Sequence, residues 1–177
     1  MTGFARVTEN VLKHLDDKFE ICVLGHNWWG DPTPLQDRYK MFPSSNRYQT
    51  EPFGVQRIRE VVEREKPDIV FTINDIWIIN QQYQQIADLH EQKKFKFVGY
   101  APMDSYNWIG GLADTANKWD AVISYTEFGA HEFIAGGITK PVAVIPHGMT
   151  PDQFYPMDKQ EARKRLGLDP DIFIVFN

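Results

Sequence analysis

Pro141-Val-Ala-Val-Ile-Pro-His-Gly-Met-Thr-Pro-Asp-Gln-Phe-Tyr-Pro156 is the stretch on which the reading of this chain turns. Residues 142–145 form a short apolar run of the kind used by a strand buried on both faces. Pro146 stops it, because proline brings no N–H to a ladder. His147 and Gly148 then fall at the strand's C-terminal end, where open α/β sheets place their ligands. A proline-bounded connection carrying Phe154 and Tyr155 follows. After it come a charged helix over about 159–166 and a last apolar run at 172–176. The spacing predicts the final strand of a domain spanning 1–150, then a linker within 151–177 that leads into the first strand of a second domain.

Upstream, strands and helices alternate. Phe4, Val7, Val11, Leu12 and Leu15 share one helical face. Residues 19–25 read as a strand. Residues 26–50, which include Asn46, Arg47 and Tyr48, read as one long polar and aromatic loop, a length that is usually functional. A helix follows over 53–65, with Val55, Ile58, Val61 and Val62 inward, and then a buried strand over 68–73. Asn74 and Asp75 end that strand and suit the cap of the next helix, predicted over 77–91 with Ile79, Tyr83, Ile86 and Leu89 inward. A strand at 95–101, a short helix at 110–118 opened by Gly110 and Gly111, and a strand at 120–125 complete the pattern. Ser124-x-x-Glu127 has the spacing of a capping box for a helix near 126–135, closed by Gly136 and Gly137. Strands separated by crossover helices predict an α/β, Rossmann-like parallel sheet with helices on both faces.

Composition narrows the function classes. The chain has 177 residues, room for one ordinary domain. A net charge of -5 argues against a phosphate backbone as ligand, so no nucleic-acid partner is expected. Aromatics make up 14% with five Trp, a content that serves a core and also suits stacking on sugar or base rings. Cys22 is the lone cysteine, so no intrachain disulfide forms, and a reducing, cytoplasmic setting is expected. No apolar run approaches the ~20 residues of a membrane span. No His, Cys or acidic residues have metal-ligand spacing, so no metal or cofactor is expected. A dinucleotide or kinase reading gets no motif support, because neither a Gly-x-Gly-x-x-Gly nor a P-loop lysine is present.

Ile145-Pro-His-Gly-Met149, Phe154-Tyr-Pro156 and Ala162-Arg-Lys-Arg-Leu-Gly-Leu168 ahead of an apolar run resemble the inter-domain junction of GT-B glycosyltransferases, especially glycosyltransferase family 4. The resemblance extends to Lys66-Pro-Asp-Ile-Val70, to Trp119-Asp-Ala-Val-Ile-Ser-Tyr-Thr-Glu127, and to the glycine-entered first helix. It implies a retaining transfer of sugar from a nucleotide-sugar donor to a hydroxyl on a glycan, lipid or protein acceptor. The reaction would take place in a cleft between two Rossmann-like domains. It also implies a first strand upstream of Met1, a missing C-terminal domain that holds most of the donor, and hence a truncated, inactive isolated chain. The donor domain's Glu-x7-Glu signature is absent. The alternative is a Rossmann-like binding or interaction module without catalysis.

Candidate site residues follow from the C-terminal strand edge and from the resemblance. Gly3, with Phe4 and Arg6 behind it, opens a helix whose N–H groups favour phosphate; a plain turn glycine is the other reading. Asp104 is the catalytic candidate, as a group that holds the sugar or polarises a hydroxyl; a turn aspartate is the other reading. Asp75 either caps a helix or lines the acceptor pocket. His26, with Trp28 and Trp29, forms an aromatic wall for a sugar or simply packs its loop. His147 and Gly148 sit beside the inter-domain cleft or serve only as a hinge. His14, His90 and His131 read as surface or satisfied positions. The basic cluster at Lys159–Arg165 is a solvated helix face, or else a peripheral membrane contact.

Overall fold

The computed structural model describes residues 3–45, 51–106, 111–152 and 154–175. They fall into two compact units, Met1–Pro146 and His147–Asn177. The first runs α1 (Gly3–Lys13), β1 (Cys22–Gly25), a 3-10 turn (Pro34–Asp37), β2 (Lys40–Pro43), α2 (Ile58–Glu65), β3 (Ile69–Ile73), α3 (Ile76–Gln84), α4 (Ala87–Glu91), β4 (Lys96–Ala101), α5 (Gly111–Ala116), β5 (Ala121–Ser124), α6 (Glu127–Ala135) and β6 (Val142–Val144). The second contains α7 (Lys159–Arg165). Every strand pairing is parallel, in a four-stranded sheet β3-β4-β5-β6 and a two-stranded sheet β1-β2. The α/β class with parallel strands and crossover helices is as the sequence predicts.

Register explains where the core lies. Val70 sits opposite Phe97, and Gly99 sits between Thr72 and Val122, so these residues share one face of the sheet. That face is packed by Ile79, Tyr83, Ile86, Trp119 and Phe133, each almost wholly buried. Trp119 lies so close above Gly99 that a Cβ there would stand 2.3 Å from its ring. The helical cover is unequal. On the opposite face Ile69, Phe71 and Ala143 are exposed and Val98 and Ile123 half-buried, with burial complete only at Ile73 and Tyr100. No helix among the described residues is long and apolar enough to cross a membrane.

Several sequence expectations are corrected. The long loop of 26–45 contains a 3-10 turn, capped by Thr33 through a capping box with Gln36, and then β2; Asn46, Arg47 and Tyr48 lie outside the described residues. The helix predicted over 77–91 is two helices. Gln85 and Ile86 donate to Gln82 and Tyr83, tightening the end of α3 before α4 restarts. Thr126, rather than Ser124, caps α6 by accepting from the Gly129 N–H, while the Ser124 hydroxyl binds Thr126's own backbone. The run at 142–145 is the sheet's outer strand with Ala143 and Ile145 exposed, not a strand buried on both faces. Residues 172–175 form no strand, and Phe173 is 92% exposed; Phe176 lies outside the described residues, as does Gly110.

Candidate functional site

Because all strands within each sheet are parallel, their C-terminal ends present a row of loop residues. After β3 come Asn74 and Asp75, after β4 Met103 and Asp104, and after β5 Tyr125 and Thr126. Asp75 occupies the N-cap of α3 in extended conformation, yet its side chain makes no capping bond. Its backbone N–H is taken by Asn74 Oδ1 at 2.8 Å instead. The capping reading of Asp75 is therefore corrected. Burial pushes its carboxyl up, and the charge of Asp104 pushes it further. The two carboxylates are thus close enough to repel. Asp104 itself is exposed.

Two tyrosines back this pair. Tyr100 and Tyr125 meet edge to face with ring centroids 4.5 Å apart. The Tyr100 hydroxyl donates to Ile145 O, tying β4 to the end of β6. The Tyr125 hydroxyl is held protonated first by burial, then by Tyr100 and Asp75. Asp75 and Asp104 therefore bring two acceptors to the same strand ends, suited to receiving polyol hydroxyls, while the Tyr125 hydroxyl is itself buried. Tyr100 and Tyr125 were not singled out from the sequence. The signal existed, since Tyr125 directly follows a strand on the edge already judged to bear the site.

His26 follows β1 at the same ends. Its Nδ1 lies 3.0 Å from Asn74 Nδ2 and its Nε2 lies 2.9 Å from Gln82 Nε2. Gln82 is itself fixed, accepting from Thr72 and donating to Phe53 O. Burial holds the imidazole below its usual range, against a smaller upward pull from Glu51. Among the described residues the ring that His26 meets is Phe53, at 6.5 Å, rather than Trp28 or Trp29. Trp28 instead donates to Asp31 O, and Trp29 is exposed. His26 so placed is a strut between the ends of β1 and β3.

Gly3 and Arg6 are exposed on α1, and a Cβ at Gly3 would meet nothing within 4 Å. Phe4 and His26 both line a cavity between β1 and β3. His147 and Gly148 open the second unit; both are exposed, and a Cβ at Gly148 would meet nothing within 4 Å. His90 is satisfied, between Tyr83 OH at 2.9 Å and Asp120 at 2.6 Å.

One family model, described as Glycosyltransferase Family 4, matches residues 1–153. No curated protein sequence matches the chain.

Proposed function

The chain belongs to glycosyltransferase family 4, and from that premise we propose that its first unit binds the acceptor of a sugar transfer. The transfer runs from a nucleotide-sugar to a hydroxyl of a glycan, lipid or protein, with retention at the sugar carbon. The observation that carries this reading is that Asp75 and Asp104 follow the paired parallel strands β3 and β4 at the same ends. There Asp104, the more exposed carboxylate, accepts from the incoming hydroxyl and polarises it. Asp75 fixes a neighbouring hydroxyl, so that the reacting oxygen is positioned before donor arrives. Gly3, Phe4 and Arg6 at the start of α1 are proposed to face donor phosphate. The donor's nucleotide is held mainly by a further, C-terminal domain.

The test is calorimetric titration of the 177-residue chain with a panel of glycan acceptors and of nucleotide-sugars. Acceptor binding that weakens at least tenfold in both Asp75→Asn and Asp104→Asn, with thermal midpoints no lower than the parent's, supports the reading. Acceptor binding indifferent to both substitutions sinks it. Silence toward every sugar and nucleotide-sugar favours a non-catalytic interaction module.

A further inference from the structure

The strand ends that carry Asp75 and Asp104 also carry an exposed aromatic pair. Tyr106 lies two residues beyond Asp104 in the loop after β4, and Phe128 is the second residue of α6, which follows β5. Their rings meet edge to face, with centroids 5.0 Å apart and an interplanar angle of 83°. β4 and β5 pair in parallel, with Ala101 opposite Ser124, so both loops leave the sheet at the same ends. The first turn of α6 is pressed against the loop after β4, because a Cβ at Gly129 would stand 3.2 Å from Met103 Cβ. Phe128 is thereby held beside the loop that bears both Asp104 and Tyr106.

Exposure separates this pair from the aromatic contacts of the core. The rings of Tyr83, Phe97 and Trp119 also meet one another, but each is almost wholly buried. Tyr106 is 74% exposed and Phe128 37%. A single edge-to-face contact occupies at most one face of a ring, so Tyr106 keeps open aromatic surface. Contact with Phe128, which is anchored on a helix, narrows the orientations of that ring and lowers the entropy lost when a ligand stacks on it. The same loop sets the exposed carboxylate of Asp104 close by.

Apolar ring surface beside a charged acceptor matches a ligand with an apolar face and a hydroxyl-bearing rim. A pyranose with equatorial hydroxyls is such a ligand, since its axial C–H bonds form the face and its hydroxyls point outward. An alkyl chain brings no hydroxyl to the carboxylate, and a serine or threonine side chain has no apolar face the size of a ring.

We propose that Tyr106, oriented by Phe128, is the stacking platform of the acceptor subsite, and that the acceptor is a glycan presenting a pyranose ring with equatorial hydroxyls. This rests on the reading of Asp75 and Asp104 as the acceptor-binding carboxylates, and narrows it from glycan, lipid or protein to glycan. Tyr106 is a positioning residue. It holds the ring so that a hydroxyl meets Asp104 and takes no part in bond making.

The test uses the full 177-residue chain with methyl β-D-glucopyranoside, whose ring hydroxyls are all equatorial, and with decanoate, both followed by saturation-transfer NMR. Saturation of the protein's aromatic protons is expected to favour the axial protons of one sugar face over those of the other. Tyr106→Leu should abolish that bias and weaken glucoside binding about fivefold, with an unchanged thermal midpoint. Tyr106→Phe should keep both the bias and the affinity. Glucoside binding that weakens in Asp104→Asn but is indifferent to Tyr106→Leu would overturn the platform and leave the acceptor reading standing. Glucoside binding indifferent to Asp75→Asn and Asp104→Asn would overturn both. The absence of glucoside binding to the parent chain would overturn the proposal. Decanoate binding that loses as much in Tyr106→Leu as the glucoside does would identify a nonselective apolar surface and overturn it as well.

Discussion

Asp120 shows how one residue can serve stability at the sheet edge opposite the candidate site. Burial pushes its carboxyl up, but bonds from Lys96 Nζ, the Phe97 N–H and His90 outweigh that and bring it down to about 2. Its folded value lies below the unfolded one of ~3.9. The stability it contributes is therefore complete above about pH 4 and lost as pH falls toward 2. Because the side chain is 26% exposed, Asp120→Asn is expected to cost about 1–2 kcal/mol at pH 7. Denaturant midpoints of the two proteins should converge as pH falls from 4 to 2, and a constant gap would refute the account. Asp75 has the opposite sign. Its raised carboxyl opposes folding as pH climbs through its titration, so Asp75→Asn should be at least as stable as the parent at pH 7. Gly99 is constrained by space. A methyl there would strike the fully buried Trp119, so Gly99→Ala is expected to lose about 1–3 kcal/mol, read by thermal unfolding.

Among the elements, α1 and α3 make a contrast. Both present apolar stripes, but α1 buries no residue whereas α3 buries Ile76, Ile78, Ile79 and Tyr83. Ile79→Ala should cost about 2–5 kcal/mol. Leu12→Ala should cost well under half of that, because its side chain already lies beside an unfilled gap; equal losses would show that α1 is packed after all. The start of α6 depends on the Thr126 cap, and Thr126→Ala should cost about 1 kcal/mol. α2 and α4 are tied by the Arg59 guanidinium, which grips Asp88 through two bonds and also donates to Gln85 O.

On the scale of the molecule, family membership and the parallel sheets fit one picture, in which polar loop residues follow the strand ends of the first unit. The reading implies that the chain alone does not complete the reaction. Incubated with nucleotide-sugars and acceptors, the 177-residue protein is expected to release no nucleotide above the protein-free rate, followed by a coupled nucleotide assay. Sustained turnover would show that these residues suffice for both substrates and would displace the division of labour proposed here.

Much of this was legible without coordinates. The alternation of strand and helix shows as local periodicity, and polar residues just after apolar runs mark the functional edge of a parallel sheet. The positions of Asp75 and Asp104 just past strands were read in that way. Pairings between distant segments were not legible. Lys40-Met-Phe-Pro43 is too short, and too bounded by lysine and proline, to show a strand period, so β2 emerges only through its ladder with β1. His26 finds its partners 48 and 56 residues away, and Tyr125 meets Tyr100 only across the pairing of β4 with β5. The sequence by itself determined most of the elements and which residues follow the strands, because hydrophobic period and turn residues act over a few positions. Only the tertiary structure decided which edges pair, which stay open, and which side chains meet, because those contacts join residues that nothing local relates.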